Sequence, residues 1–205
     1  MTVLTRIIAT PLPGKTALTQ ERVLQHVANL RRLGAHGSVS KILFGDLCDS
    51  FMVLGAREDM ADVLRVSAAL AQDPAAIKLR QEIETNPGAT RIGPDVMRLA
   101  YGQLAATPLP AYLSRSYKVT RSNLANALAL LPDIASVMGD NITVHAVVPM
   151  VSADMMAFNV VYRAATLEII GATMDTTGQS EAFRQIVLKA AEFGTLVSSH
   201  IAINL

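Results

Sequence analysis

The 205-residue chain has one cysteine, no tryptophan, nine aromatic residues in all and few charges, 17% of the total. A single thiol, Cys48, cannot close an internal disulfide, and it excludes zinc sites built from several thiolates. Such cysteine usage fits the reducing cytoplasm, which is the expected compartment. Basic and acidic residues nearly cancel, leaving a formal charge of +1. That gives no general drive toward nucleic acid or an anionic membrane surface. Scarce aromatics leave no evident base-stacking platform. No run of about 18 apolar residues occurs, so no membrane-spanning helix is expected. The start, MTVLTRIIATPLPGK, carries Arg6 within its apolar stretch and Pro11 and Pro13 just after it. That pattern reads as a strand and a loop, not as a secretory leader.

What the chain has in abundance is apolar residues, 51% of the total. They imply a large buried core, and their order repeats. On either side of a connector at 103–110 the same signals follow one another. Val3–Ile8 and Tyr112–Tyr117 open the two halves as strands, each with Arg at its fourth place, Arg6 and Arg115. Helical periodicity follows, through Val23, Val27 and Leu30 in one half and Leu124, Leu128 and Leu131 in the other, where Pro132 should break the helix. Next come two pairs of strands, 38–44 with 50–55 and 142–148 with 155–161, read as antiparallel hairpins. Arg57 and Arg163 follow them in matching places. Asp73-Pro74 and Ser180 mark new helix starts, and each half ends in a strand after Gly93 or Gly194.

This order is β-α-β-β-α-β twice, the ferredoxin-like plan, with the second helical region in two pieces. The expectation is an α+β protein with repeats at 1–104 and 108–205. Their sheets would pack face to face as an intrachain α/β barrel, because a bare apolar sheet face must be covered. Strand residues such as Ile142, Val144, Ala146 and Val148, with Val147 between them, suit burial on both faces. The halves differ in charge, with 22 charged residues in 1–107 and 13 in 108–205. The second also holds Met138, Met150, Met155, Met156 and Met174, which suit either a core or the interface of a homodimer.

With Pro13-Gly14-Lys15 after the first strand, this arrangement resembles a tandem duplication of the dimeric α/β-barrel superfamily. That group includes antibiotic-biosynthesis-type monooxygenases, stress-responsive barrel proteins, polyketide cyclases and small-lactone isomerases. The resemblance implies cofactor-independent oxygenation, cyclisation or isomerisation of a small apolar, carbonyl-bearing compound. Haem binding, found in some relatives, is a further expectation to test. A non-catalytic binding or assembly protein is the competing class, since fold alone does not set function.

The candidate catalytic residues are His145, His200, Arg115 and Tyr117. His145 and His200 lie on the second and last strands of the second half, where a closed barrel would bring each against the first half. They serve either as pocket groups or as satisfied structural histidines, and the strand register decides their face. Arg115 and Tyr117 share a strand face and could stabilise an enolate. Arg6 and His26 are candidate ligand-binding residues; the bland reading is an ion pair for Arg6 and a partly buried helix residue for His26. His36, between Gly34 and Gly37, reads as a helix-end residue. No metal site is expected, because no HExxH or closely spaced His/Asp set appears. Asp46 and Asp49 disfavour a thiolate at Cys48.

Overall fold

The computed structural model describes residues 2–105 and 107–205; position 106, inside the expected connector, lies outside the described residues. Eight antiparallel strands form a closed barrel in the order β1-β3-β2-β8-β5-β7-β6-β4. The first half supplies β1 (Val3–Pro11), β2 (His36–Gly45), β3 (Phe51–Arg57) and β4 (Ala89–Tyr101), with helices α1 (Thr16–Arg32), α2 (Met60–Gln72) and α3 (Pro74–Thr85). The second supplies β5 (Ala111–Val119), β6 (Thr143–Val151), β7 (Ala157–Ala164) and β8 (Gly194–Asn204). Its helices are α4 (Leu124–Ala129), α5 (Leu131–Met138), α6 (Leu167–Asp175) and α7 (Glu181–Ala191), with a 3-10 turn at Thr177–Gln179. No helix among the described residues is long and apolar enough to cross a membrane.

Each half has the spatial strand order fourth, first, third, second, and the halves join through two seams, β2 with β8 and β4 with β6. Strand alternation then sorts every side chain into one of two environments. One set turns into the barrel, where Ile8, Ile42 and Met52 of the first half meet Tyr112 and Ala202 of the second. The other set turns outward under the helices. There Val23, Val27 and Leu30 of α1 cover Val39, Phe51 and Val53. In the second half Leu131, Ile134, Ile170 and Phe183 cover Phe158, Val160 and Tyr162.

The helix starts follow local chemistry. Asp59, Thr166 and Ser180 each accept a hydrogen bond from the backbone N–H three residues on, and Asp73 does so from Ala76 at 2.9 Å. Pro132 sits in the first turn of α5, where its missing N–H costs nothing, and α4 stops just before it. Asp73 also takes a two-pronged contact from Arg32, 2.6 Å at each oxygen, which ties α1 to α3. The Arg32 guanidinium and the Ala76 N–H hold its carboxyl down at about 2. Asp73→Ala removes cap and clamp together, and is expected to lower Tm by about 5 °C in calorimetry. An unchanged Tm would mean that neither contact bears weight.

His36 departs from expectation. It opens β2 opposite Ala56 and is exposed, because α1 already ends at Arg32 and Gly34 takes the positive φ (82°) that turns the chain. The methionines divide: Met150 packs against Val3 and Val63, while Met155, Met156 and Met174 are exposed.

Candidate functional site

The two opening arginines, matched in sequence, are not matched in space. Setting the helix caps Asp59 and Thr166 in register makes Arg57 correspond to Ala164, and hence Val3 to Ala111. Arg6 then corresponds to Ser114, and Arg115 to Ile7. A one-residue offset is enough to send a side chain to the opposite face of a sheet. Arg6 points into the barrel and Arg115 points out under the helices.

The same parity divides the four candidate catalytic residues into two pairs. His145 and His200 turn into the barrel, one at each seam. His145 pairs with Val161 across the sheet, and its Nε2 lies 3.0 Å from the Gln103 carbonyl oxygen. His200 is edge-on to Tyr112, with ring centroids 6.4 Å apart, and neither of its ring nitrogens has a hydrogen-bond partner among the described residues. Burial is the main reason both imidazoles stay neutral, and a nearby cation adds to it. Burial and Arg163 bring His145 to about 4, and burial with Arg6 lowers His200 against the opposing pull of Asp46. Arg163 sits over the Tyr112 ring at 4.6 Å and donates to the Leu109 carbonyl at 2.9 Å. Arg6 is held by Asp95, with Nη2 at 2.7 Å and Nε at 3.2 Å from one carboxylate oxygen. His26, on α1, faces Arg91 and is held at about 4 by burial and then by that cation.

Arg115 and Tyr117 face a different space. Between the outer side of β5, β7 and β8 and helices α4, α5 and α7 lies a cavity of about 110 Å³. Its wall is apolar (Val119, Leu131, Ile134, Val160 and Ile186 among others) apart from the hydroxyls of Tyr117 and Tyr162. A second cavity of about 100 Å³ adjoins it beneath α6, lined by Arg115, Thr173, Gln179 and the side chains of Met138 and Met174. Tyr162 and Phe183 line both. The Arg115 guanidinium carbon stands 5.9 Å from the centroid of each of these two rings. Among the described residues Arg115 has no carboxylate within ion-pairing distance, unlike Arg6. Burial, with some help from Tyr117 and against Arg115, raises the Tyr162 phenol above its ordinary value, so it keeps its proton at neutral pH and can donate a hydrogen bond.

The arrangement is a half-buried cation and two phenols at the edge of an apolar chamber. It can hold a compound that is mostly apolar and carries an oxygen with negative or developing negative charge. Tyr162 is the residue the sequence reading missed. Its signal was the outward set Phe158, Val160 and Tyr162 on β7, legible only once Leu113 is known to lie opposite Tyr162. The first half has no such site, because Ile7, Ala9 and Gly55 stand where Arg115, Tyr117 and Tyr162 stand in the second. Among the described residues no three His, Cys, Asp or Glu side chains are placed to share a metal ion.

No family model matches the chain, and no curated protein matches it in sequence. Solved structures do match it in shape. An anthrone oxidase-like protein superposes on all of this chain and 91% of its own length, with a TM-score of 0.70 at 12% identity. A Fusobacterium nucleatum protein, provisionally named a monooxygenase, covers 100% of this chain and 92% of its own, with a TM-score of 0.66 at 7% identity. A haem-degrading enzyme from Listeria monocytogenes covers 97% and 98%, with a TM-score of 0.50 at 8% identity. At such identities the likeness is one of fold, and the fold is that of the dimeric α/β barrels, here with both halves in one chain.

Proposed function

We propose that the second half binds a small, largely apolar compound through an anionic or enolisable oxygen recognised by Arg115. The observation that carries this reading is the cation itself. A half-buried guanidinium without a carboxylate, set in the wall of a cavity, is an anion site in waiting. Tyr117 and Tyr162 add hydroxyl donors, and the apolar wall supplies the affinity for the rest of the molecule. A void of about 110 Å³, below the engineered cavity of about 150 Å³ that takes benzene, sets one small ring as the upper limit.

Benzoate is the simplest probe of these features. It is expected to bind the native protein, detected by ligand-observed NMR. Arg115→Met should weaken binding by about tenfold to a hundredfold, the usual worth of a hydrogen bond to a charged group. Equal binding by Arg115→Met would sink the reading. Native mass spectrometry of freshly purified protein would identify a natural ligand.

Catalysis is the second reading, favoured by the protonated Tyr162 beside Arg115. Together they would lower the energy of an enolate formed from a bound carbonyl compound, the shared first step of cofactor-free oxygenation, cyclisation or isomerisation. Neither cavity is lined by a carboxylate or an imidazole, so the site suits substrates acidic enough to give their proton to water. Its signature would be accelerated exchange, for deuterium from solvent water, of the hydrogens between the two carbonyls of benzoylacetone, a 1,3-diketone acidic enough to give its proton to water; an unaccelerated exchange leaves binding alone as the function.

Haem, the group degraded by the Listeria protein, does not fit these residues. Neither cavity is lined by a histidine or cysteine that could bind the iron, and each is far too small for the macrocycle. The buried His145 and His200 face the barrel interior, away from both cavities.

A further inference from the structure

Two residues, Tyr162 and Phe183, line both cavities and stand at their border. These two residues are held very differently. Tyr162 stands on β7, paired on one side with Leu113 and on the other with Val144. Its backbone is fixed by the sheet. Phe183 stands in the first turn of α7, directly after the 3-10 turn, and its N–H is bonded to the capping Ser180 hydroxyl at 3.2 Å. First-turn residues have no bond to a preceding helical turn, so the Phe183 side of the wall yields more readily.

The chambers also differ in chemistry. The one beneath α7 is almost wholly apolar. The one beneath α6 presents Arg115, Gln179 and Thr173, whose hydroxyl is already committed to the Ile169 carbonyl at 2.8 Å. We propose that Phe183 is the specificity-determining partition of a two-chamber site, which takes an amphiphilic aromatic anion with its ring in the apolar chamber and its charge in the polar one, and which restricts the native protein to one ring. This rests on the ligand-site reading above. Phe183 lines both chambers, so its ring stands at their border, where a larger ring system would have to extend. Shortening it joins two voids of about 110 and 100 Å³ and adds the volume of the lost ring.

The test compares benzoate with 2-naphthoate, which carry the same charge and differ by one fused ring. The chain lacks tryptophan, so naphthoate fluorescence is read without interference. Native protein is expected to bind 2-naphthoate at least tenfold more weakly than benzoate. Phe183→Leu and Phe183→Ala should reverse that order, tightening 2-naphthoate at least tenfold. Phe183→Leu, the milder change, carries the result if Phe183→Ala does not fold, and far-UV circular dichroism checks both. A merely structural role for Phe183 would weaken both probes together without changing their order. The partition is overturned if native protein binds both probes equally, or if 2-naphthoate stays excluded from a folded Phe183→Leu. Failure of benzoate to bind native protein, or binding indifferent to Arg115→Met, overturns the site itself and the partition with it.

Discussion

Between pH 7 and pH 4 the protein is expected to lose on the order of 3 kcal/mol of stability through His145 alone. An unfolded imidazole takes up a proton near pH 6.5. The folded His145 does so only near 4, because it is buried in the barrel with Arg163 close by. The unfolded state therefore binds more protons throughout that window, and stability falls as pH falls. The contribution is whole above pH 6.5 and gone below about 4. His26, held at about 4 beside Arg91, and His200, lowered by burial, act in the same direction. The Asp73 carboxylate contributes separately and at lower pH, since it is held at about 2. Urea unfolding at pH 7.5, 5.5 and 4.5 would show the slope. His145→Gln, which cannot titrate, should flatten it. A native slope no steeper than that of His145→Gln would remove the barrel histidine as its cause.

Asp95→Asn is expected to cost about 3 kcal/mol, or about 6–12 °C in Tm for a domain of this size. Asp95 is the only carboxylate bonded to Arg6 among the described residues, and both groups are largely withdrawn from water inside the barrel. Without it the guanidinium stays buried with no counter-charge. The pair as a whole need not be stabilising, because both ions gave up hydration to enter. The double variant Arg6→Met/Asp95→Leu should therefore recover most of the loss. Calorimetry of Arg6→Met, Asp95→Leu and their double variant decides the matter: a double variant as unstable as the sum of its singles would mean that the two side chains act independently.

Much of the architecture was legible because it is carried by signals local in the chain. Asp73-Pro74 and Ser180 start helices by chemistry confined to four residues, and the strand-helix order of each half needs no long-range knowledge. Even the seams followed from the fold, with His145 on the strand beside Met97–Leu99 and His200 on the strand beside Ser40 and Lys41. What the residues alone did not settle was parity. Arg6 and Arg115 hold the same place in two similar hexapeptides, yet the equivalence is off by one and they face opposite sides. Bulges add to the difficulty. The pairing of β2 with β8 slips between Ile42 and Phe44, and that of β4 with β6 slips twice. Each slip turns the following side chains over, so Arg115 and Tyr117 could not be separated from His145 and His200 without the register. Tyr162 escaped notice for the same reason. It follows an alternating apolar run, and its membership of the outer face depends on its partner across the sheet.

The two seams bear on what each half would expose by itself. A ferredoxin-like unit standing alone has two open borders whose unpaired amides and carbonyls invite strands from any neighbour, and an apolar sheet face besides. Here β2 meets β8 and β4 meets β6, so both halves spend their borders on each other. Gly45 and Gly102 allow a close approach at these junctions; a methyl group added at Gly45 would collide with the Ser199 carbonyl oxygen, and one at Gly102 with the Val144 carbonyl oxygen. Fusion in one polypeptide thus keeps the complementary border always at hand, and either half expressed by itself would be an aggregation template.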